Sequence, residues 1–155
     1  TVAIEAPDPL RRAPQAMLTL QDAAVATSGD YRHWVEVQGR RLSHTMDPRR
    51  GAPLLSPPAS VTVIAPTCAE ADGWATALMV AGPEAGAAMV QNQRLSALYL
   101  LRDPVQGVYS MGFGPLFPDR VAGGATPRRG QVPPSQSGGG ATFGAQPFGP
   151  PIAAL

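Results

Sequence analysis

Asp72 and Thr76 lie four residues apart in a segment that reads Ala-Asp-Gly-Trp-Ala-Thr from position 71. On a helix, residues at i and i+4 share a face, so these two oxygen-bearing side chains can reach one hard cation together. Mg²⁺ usually keeps few protein contacts and takes its remaining oxygen ligands from substrate phosphates and water. The alternatives are a solvated helix carboxylate for Asp72 and a hydroxyl bonded back to its own helix for Thr76.

His44 begins a second segment whose side chains could take part in chemistry. It reads His-Thr-Met-Asp-Pro-Arg-Arg-Gly and ends at Gly51. A histidine can accept a proton at neutral pH, and a hydroxyl such as that of threonine is a weak nucleophile until a base removes its proton. The alternative for His44 is a histidine at a strand end, bonded to a backbone carbonyl. Asp47 is expected to cap the following turn, and Arg49 either pairs with Asp47 or reaches a phosphate.

The composition limits the number of domains and the classes of partner. With 155 residues, of which 44% are hydrophobic, the chain can bury one core, so one domain is expected. All 12 basic residues are arginines, and their doublets are scattered along the chain, which also has 11 acidic residues. This charge balance disfavours a nucleic-acid or membrane-surface binder. Cys68 is the single cysteine and excludes an intrachain disulfide or a paired-cysteine metal site.

The elements that would position these residues follow from periodicity and turn signals. We predict an α+β domain over residues 1–118 with antiparallel strands, a hairpin and two helices, in the order β, β, β, α, α, β. Residues 119–155 are rich in glycine and proline and are expected to form a disordered tail. The first half is expected to hold a loop over 6–16, two short strands around a turn at 21–22, and a hairpin over 34–44. A strand over 60–65 is followed by a helix that begins at a capping box of Thr67 and Glu70 and ends at Val80. A short helix over 84–92 and a strand over 96–101 complete the domain.

Four segments, taken in order, resemble those of the FAD:protein FMN transferases, the ApbE-like flavin transferases. They are Ala-Thr-Ser-Gly-Asp-Tyr at 26–31, the His-x-x-Asp-Pro-Arg-x-Gly pattern at 44–51, the strand at 60–65 and Ala-Asp-x-x-Ala-Thr-Ala at 71–77. The resemblance covers about residues 1–110. It implies a partial ApbE-like, T-fold-like domain that corresponds to the carboxy-terminal part of such a protein.

The resemblance also implies an activity and roles for individual residues. Family members use a divalent metal such as Mg²⁺ to split the pyrophosphate of FAD, transfer FMN to a threonine hydroxyl of a target protein and release AMP. Some members instead hydrolyse FAD to FMN and AMP. By resemblance His44 is the catalytic base, Asp72 and Thr76 bind the metal, and the cofactor-binding residues are Ser28, Gly29, Asp30, Tyr31 and Arg49.

The chain also departs from the family pattern. Arg50 stands where the family commonly has a small hydroxyl residue, and Gly73 stands in a helix segment that usually carries alanine there. The chain has no lysine, so it lacks the lysine-containing, glycine-rich motif of the family's amino-terminal half. We therefore expect an incomplete flavin transferase, with two alternatives: a metal-dependent FAD pyrophosphatase, or a non-catalytic flavin-binding fragment.

The expected partners are FAD, an acceptor protein with a target threonine, and either the missing amino-terminal half or a second copy of the chain. No nucleic acid is expected. The family resemblance implies a periplasmic or inner-membrane-associated setting.

Overall fold

The computed structural model describes residues 1–105 and 107–117, together with the backbone of residues 145–146. Within these ranges the protein is built from antiparallel strands and a single helix. The elements are β1 (Val2–Glu5), β2 (Pro14–Leu18), β3 (Ala24–Gly29), β4 (Trp34–Val37), β5 (Arg40–Ser43), β6 (Met46–Asp47), β7 (Ala52–Pro53), β8 (Ser60–Ala65), α1 (Cys68–Asn92), β9 (Ser96–Asp103), β10 (Gly107–Phe113) and β11 (Ala145–Gln146).

A four-stranded antiparallel sheet with the order β10-β9-β8-β3 forms the centre of the fold. Every residue of β8 is buried, as its β-branched sequence predicts for a strand covered on both faces. On one face, Val61 and Val63 pack with Leu78 of α1 in the larger hydrophobic cluster. On the other face, Ile64 packs with Ile4 and other residues of a second cluster. The central sheet therefore lies between α1 and the small sheet that contains β1 and β2.

The prediction for the amino-terminal strands is partly wrong. Strand β2 begins at Pro14, inside the predicted loop, and pairs with β1 rather than with β3 across the predicted turn at Asp22. Ile4 and Leu18 are both buried in the second cluster, whereas β3 joins β8 in the central sheet. The gain from burying these two apolar side chains over the sheet outweighs the local turn signal.

Helix α1 begins as predicted, with the reciprocal capping box of Thr67 and Glu70. The predicted division into two separate helices is not confirmed, because one helical element runs from Cys68 to Asn92. Gly82 interrupts it with a φ of 76°, a left-handed conformation that glycine adopts without steric cost, and Pro83 follows. The Tyr99 hydroxyl lies 3.3 Å from the Leu78 carbonyl oxygen and 3.4 Å from that of Gly82, so β9 supplies a donor at the break.

The predicted hairpin is confirmed: β4 and β5 pair with Trp34 opposite Ser43, and the turn at Gln38 and Gly39 has positive φ at both residues. Strand β10 was not predicted. The predicted disordered tail over 119–155 lies outside the described residues, except for β11, which pairs with β2. In the described part of the chain, no helix combines the length and the apolar character needed to cross a membrane.

Two glycines of α1 give opposite predictions for stability. A Cβ at Gly86 would overlap the buried Tyr99 hydroxyl, whereas a Cβ at Gly73 meets nothing within 4 Å. We expect Gly86→Ala to lower the free energy of unfolding by about 1–3 kcal/mol through overpacking. The matched Gly73→Ala should raise it by roughly 0.5–1 kcal/mol through helix propensity. Urea unfolding of both variants is the measurement, and equal effects at the two sites would contradict this packing.

Candidate functional site

Asp72 and Thr76 lie on an exposed face of α1, as the spacing predicts. Their neighbours Ala71 and Ala75 are fully buried against the central sheet, and this fixes the rotation of the helix. Asp72 is therefore turned toward solvent at the edge of the sheet, together with Thr76. The arrangement presents a carboxylate and a hydroxyl on one accessible face.

Ser28, at the end of β3, adds a third oxygen to this face. Its hydroxyl oxygen lies 2.9 Å from the Thr76 hydroxyl oxygen, so one of the two donates a hydrogen bond to the other. Ser28 was predicted to bind flavin, and its contact with Thr76 was not predicted. The alternation along β3 indicates this placement, because the period of two along a strand puts Ser28 on the same side as Ala24 and Ala26. Both alanines pack against the cluster beneath α1.

These oxygens fit the chemistry of a hard cation. A carboxylate and neutral hydroxyls are ligands that Mg²⁺ accepts, and substrate phosphates and water commonly complete its coordination. Among residues 1–105 and 107–117 there is no group of three or more His, Cys, Asp or Glu side chains that could hold a metal. Asp72, Thr76 and Ser28 offer three oxygens, so substrate phosphates and water would supply the remaining ligands of such an ion.

His44 is exposed directly after β5, and its ring orientation is fixed by the backbone. Its Nδ1 lies 2.8 Å from the carbonyl oxygen of His33. A carbonyl oxygen can only accept, so Nδ1 carries the hydrogen and Nε2 of the neutral ring keeps its lone pair. The carbonyl-bonded arrangement considered for His44 is thus present, and it leaves Nε2 as the atom that can take a proton.

The segment from Gly29 to Tyr31 is held by protein contacts. Asp30 pairs with Arg102, with Oδ1 of the aspartate 2.6 Å from Nη2 of the arginine. Tyr31 is 7% exposed, and burial together with its bond to Glu5 raises the pKa of its hydroxyl. A Cβ at Gly29 would press on the Tyr31 ring, so glycine is required there. The flavin-binding role of Gly29, Asp30 and Tyr31 stays a prediction.

The turn after His44 has the predicted Asx cap. Oδ1 of Asp47, which is 6% exposed, accepts from the backbone N–H of Arg49 at 2.9 Å. This bond, opposed by desolvation and helped by the Arg49 side chain, holds the pKa of Asp47 below its ordinary value. Arg49 pairs with Asp47 through Nε at 3.3 Å while its side chain is 76% exposed, so the rest of its guanidinium remains accessible.

The lowered pKa of Asp47 predicts a pH dependence. A carboxyl whose pKa is lower in the folded state contributes stability above its unfolded pKa and loses it as the pH falls through the folded value. We expect the wild type to unfold more easily as the pH drops below the ordinary range of aspartate, and Asp47→Asn to lose this part of the dependence. Unfolding free energies of both proteins at pH 7 and at acidic pH are the measurement. A difference between them that does not shrink on acidification would contradict the assignment.

One short segment of chain, residues 28–33, joins the proposed metal ligands to the proposed base. Ser28 contacts Thr76 at its beginning, and His33 contacts His44 at its end. Five peptide units can span at most roughly 17 Å between Cα atoms. Thr76 and His44 are therefore hydrogen-bonded to the two ends of one short segment.

Comparisons with known proteins agree with this arrangement. Residues 1–99 match the model of the ApbE family. Over 102 residues the chain is 43% identical to the FAD:protein FMN transferase of Klebsiella pneumoniae strain 342, a match that covers 66% of this chain and 29% of that protein. Over 100 residues it is 45% identical to the FAD:protein FMN transferase of Escherichia coli K12, covering 64% and 28%. The chain thus spans less than a third of these curated relatives, and its place within them stays a prediction.

Solved structures extend the likeness to the fold. The apo crystal structure of the Pseudomonas stutzeri flavinyl transferase ApbE matches with a TM-score of 0.58 and 43% identity, over 72% of this chain and 34% of that one. The flavin transferase ApbE of Vibrio cholerae matches with a TM-score of 0.59 and 35% identity, over 72% and 35%.

Proposed function

Since the chain belongs to the ApbE family, we propose that it carries the metal-binding and proton-accepting side of a site that transfers FMN from FAD to a threonine hydroxyl of an acceptor protein, with release of AMP. The observation that carries this proposal is the accessible group of Asp72, Thr76 and Ser28, linked by a short segment to His44. The names of the relatives, FAD:protein FMN transferases, support transfer of FMN from FAD to a protein.

Asp72, Thr76 and Ser28 would hold Mg²⁺ at the exposed edge beside α1. Bound there, the ion would neutralise charge on the pyrophosphate and on the departing AMP. The oxygen donors and their accessibility support this assignment, since a pyrophosphate has to approach the same face.

His44 would act through Nε2. It accepts the proton of the acceptor threonine as the hydroxyl oxygen forms a bond to the phosphorus of the FMN half of FAD. The bond between that phosphorus and the bridging oxygen breaks, and AMP leaves with the bridging oxygen. The hydrogen bond from Nδ1 to the His33 carbonyl supports this role, because it leaves the lone pair of Nε2 free.

The described residues also support the view that further polypeptide is needed. In β4, Val35 is 54% exposed and Val37 is 46% exposed, both on one face of a two-stranded hairpin that joins no larger sheet in the described part of the chain. An isolated hairpin with an apolar face is marginally stable in water. We propose that this face belongs to the contact with the part of the family fold that the chain does not span. A periplasmic or inner-membrane-associated setting remains part of the proposal.

The test measures AMP release from FAD in the presence of Mg²⁺, with and without a threonine-bearing acceptor protein. The chain is assayed alone and mixed with a polypeptide that supplies the remaining part of a solved relative. AMP release that requires the acceptor supports transfer, whereas equal release without it indicates FAD hydrolysis. No release in the complemented mixture, where the intact relative is active, would contradict the proposed function.

A further inference from the structure

Residues 30–33, the 30–33 loop, connect β3 to β4 and end at the carbonyl that holds His44. We propose that Glu5, together with Arg32, is a positioning residue for His44 and acts through the backbone of this loop. The functional meaning of the inference rests on the proposed role of His44 as the base. The structural part, that Glu5 determines the orientation and tautomer of His44, does not depend on that role.

Glu5 ends β1 and binds two consecutive residues of the loop. Its Oε2 accepts from the Tyr31 hydroxyl at 3.0 Å and from Nε of Arg32 at 3.3 Å, while its Oε1 pairs with Nη2 of Arg32. Arg12 adds a longer ion pair at 3.9 Å from an exposed side chain. Charge-assisted bonds that use both carboxylate oxygens fix direction as well as distance. The side chains of the two residues before His33 are thus tied to the strand that covers the second face of the sheet.

The other end of the 30–33 loop is tied to different elements. The Asp30 carboxylate pairs with Arg102 of β9, and its carbonyl oxygen accepts from Nη2 of Arg41 in β5 at 3.0 Å. Its N–H donates to the Ala59 carbonyl at 3.2 Å. With Asp30 fixed to the central sheet and to β5, the freedom left to the loop lies in the residues after Asp30. Glu5 and Arg32 restrict that last part.

The consequence for His44 is a specific protonation pattern. The His33 carbonyl belongs to the peptide between His33 and Trp34, and it can orient the imidazole only if that peptide keeps its direction. While it does, Nδ1 carries the hydrogen and Nε2 is the free acceptor. When that direction is lost, His44 can exchange between its two neutral tautomers, and Nε2 is protonated part of the time. A third group that orients a catalytic histidine is a recurrent feature of general-base sites.

The test records the ¹⁵N shifts of the His44 ring by NMR in the full 155-residue chain, above the pH range in which histidine is protonated. We expect the wild type to show an Nδ1–H tautomer. In Glu5→Gln, a single carbonyl acceptor and an amide donor replace the two carboxylate oxygens. The ¹⁵N chemical shifts of the two ring nitrogens should therefore become more alike. Arg32→Gln should give the same shift. Glu36→Gln, which removes the same charge from the exposed β4 strand, is the matched control and should leave the ring unchanged.

Three results would overturn the inference. They are an Nε2–H tautomer in the wild type, an unchanged His44 ring in folded Glu5→Gln and Arg32→Gln, and loss of the folded spectrum in both variants, because the pair would then support the fold rather than His44. The test is separate from the proposed function, since it requires neither FAD nor turnover. If His44 is not the base, the ring shifts will still respond to Glu5 while transfer will not respond to the loss of His44.

Discussion

Replacing Asp72 by alanine is expected to lower Mg²⁺-dependent release of AMP from FAD by more than about 100-fold. The assay uses the chain complemented with the polypeptide that supplies the remaining part of a solved relative. Loss of groups that only support a metal ligand costs roughly 10–100-fold, so loss of the one carboxylate among the proposed ligands should cost more. The variant should retain its fold, because Asp72 is exposed and its buried neighbours Ala71 and Ala75 are unchanged.

Two sets of controls make the Asp72 result specific. Glu84→Ala removes an exposed acid from the other segment of α1 and should leave AMP release unchanged. Thr76→Val removes the second proposed ligand and its contact with Ser28, whereas Thr76→Ser keeps a hydroxyl and should retain most of the activity. Normal AMP release by Asp72→Ala would show that the metal is held elsewhere.

Replacing His44 by alanine is expected to lower FMN transfer to the acceptor threonine by about 10²–10⁴-fold, the usual contribution of a positioned general base. Binding of FAD and Mg²⁺ should be preserved, because His44 contacts His33 and none of the proposed metal ligands. The measurement combines the mass of the acceptor protein after turnover with FAD binding followed by fluorescence.

His33 provides the matched control for His44. Its ring lies edge-on to that of His44 with the centroids 6.0 Å apart, but the group that bonds His44 is its backbone carbonyl. His33→Ala keeps this carbonyl and should reduce transfer much less than His44→Ala. Equal losses in both variants, or unchanged transfer in His44→Ala, would contradict the assignment of Nε2 as the base.

The parts of the fold that sequence reasoning predicted are those specified locally. The β4–β5 hairpin follows from alternation around Gln38 and Gly39, and the start of α1 follows from its capping box. The pairing of β1 with β2 was not predictable in this way, because it depends on burying Ile4 and Leu18 over the opposite face of a sheet formed later in the chain. The break in α1 at Gly82 follows from the Gly-Pro pair, whereas the Tyr99 hydroxyl beside it belongs to β9 and was not predicted.

The same distinction holds for the candidate site. The Asp72 and Thr76 pair follows from helical spacing alone, and the Asx cap of Asp47 follows from its turn. The contact of Ser28 with Thr76 joins residues 48 positions apart, and the bond of Arg32 to Glu5 joins residues 27 positions apart. No local pattern encodes such contacts, since the sheet creates them by placing the end of β3 beside α1 and near the end of β1.

The mass of a threonine-bearing acceptor protein, after incubation with FAD, Mg²⁺ and the complemented chain, tests most directly whether Asp72, Thr76 and His44 form one side of a flavin-transfer site. The wild type is predicted to add FMN to the acceptor threonine, and Asp72→Ala and His44→Ala are predicted to add almost none. An unmodified acceptor with the wild type, under conditions in which the intact relative modifies it, would contradict this function. So would full modification by both variants.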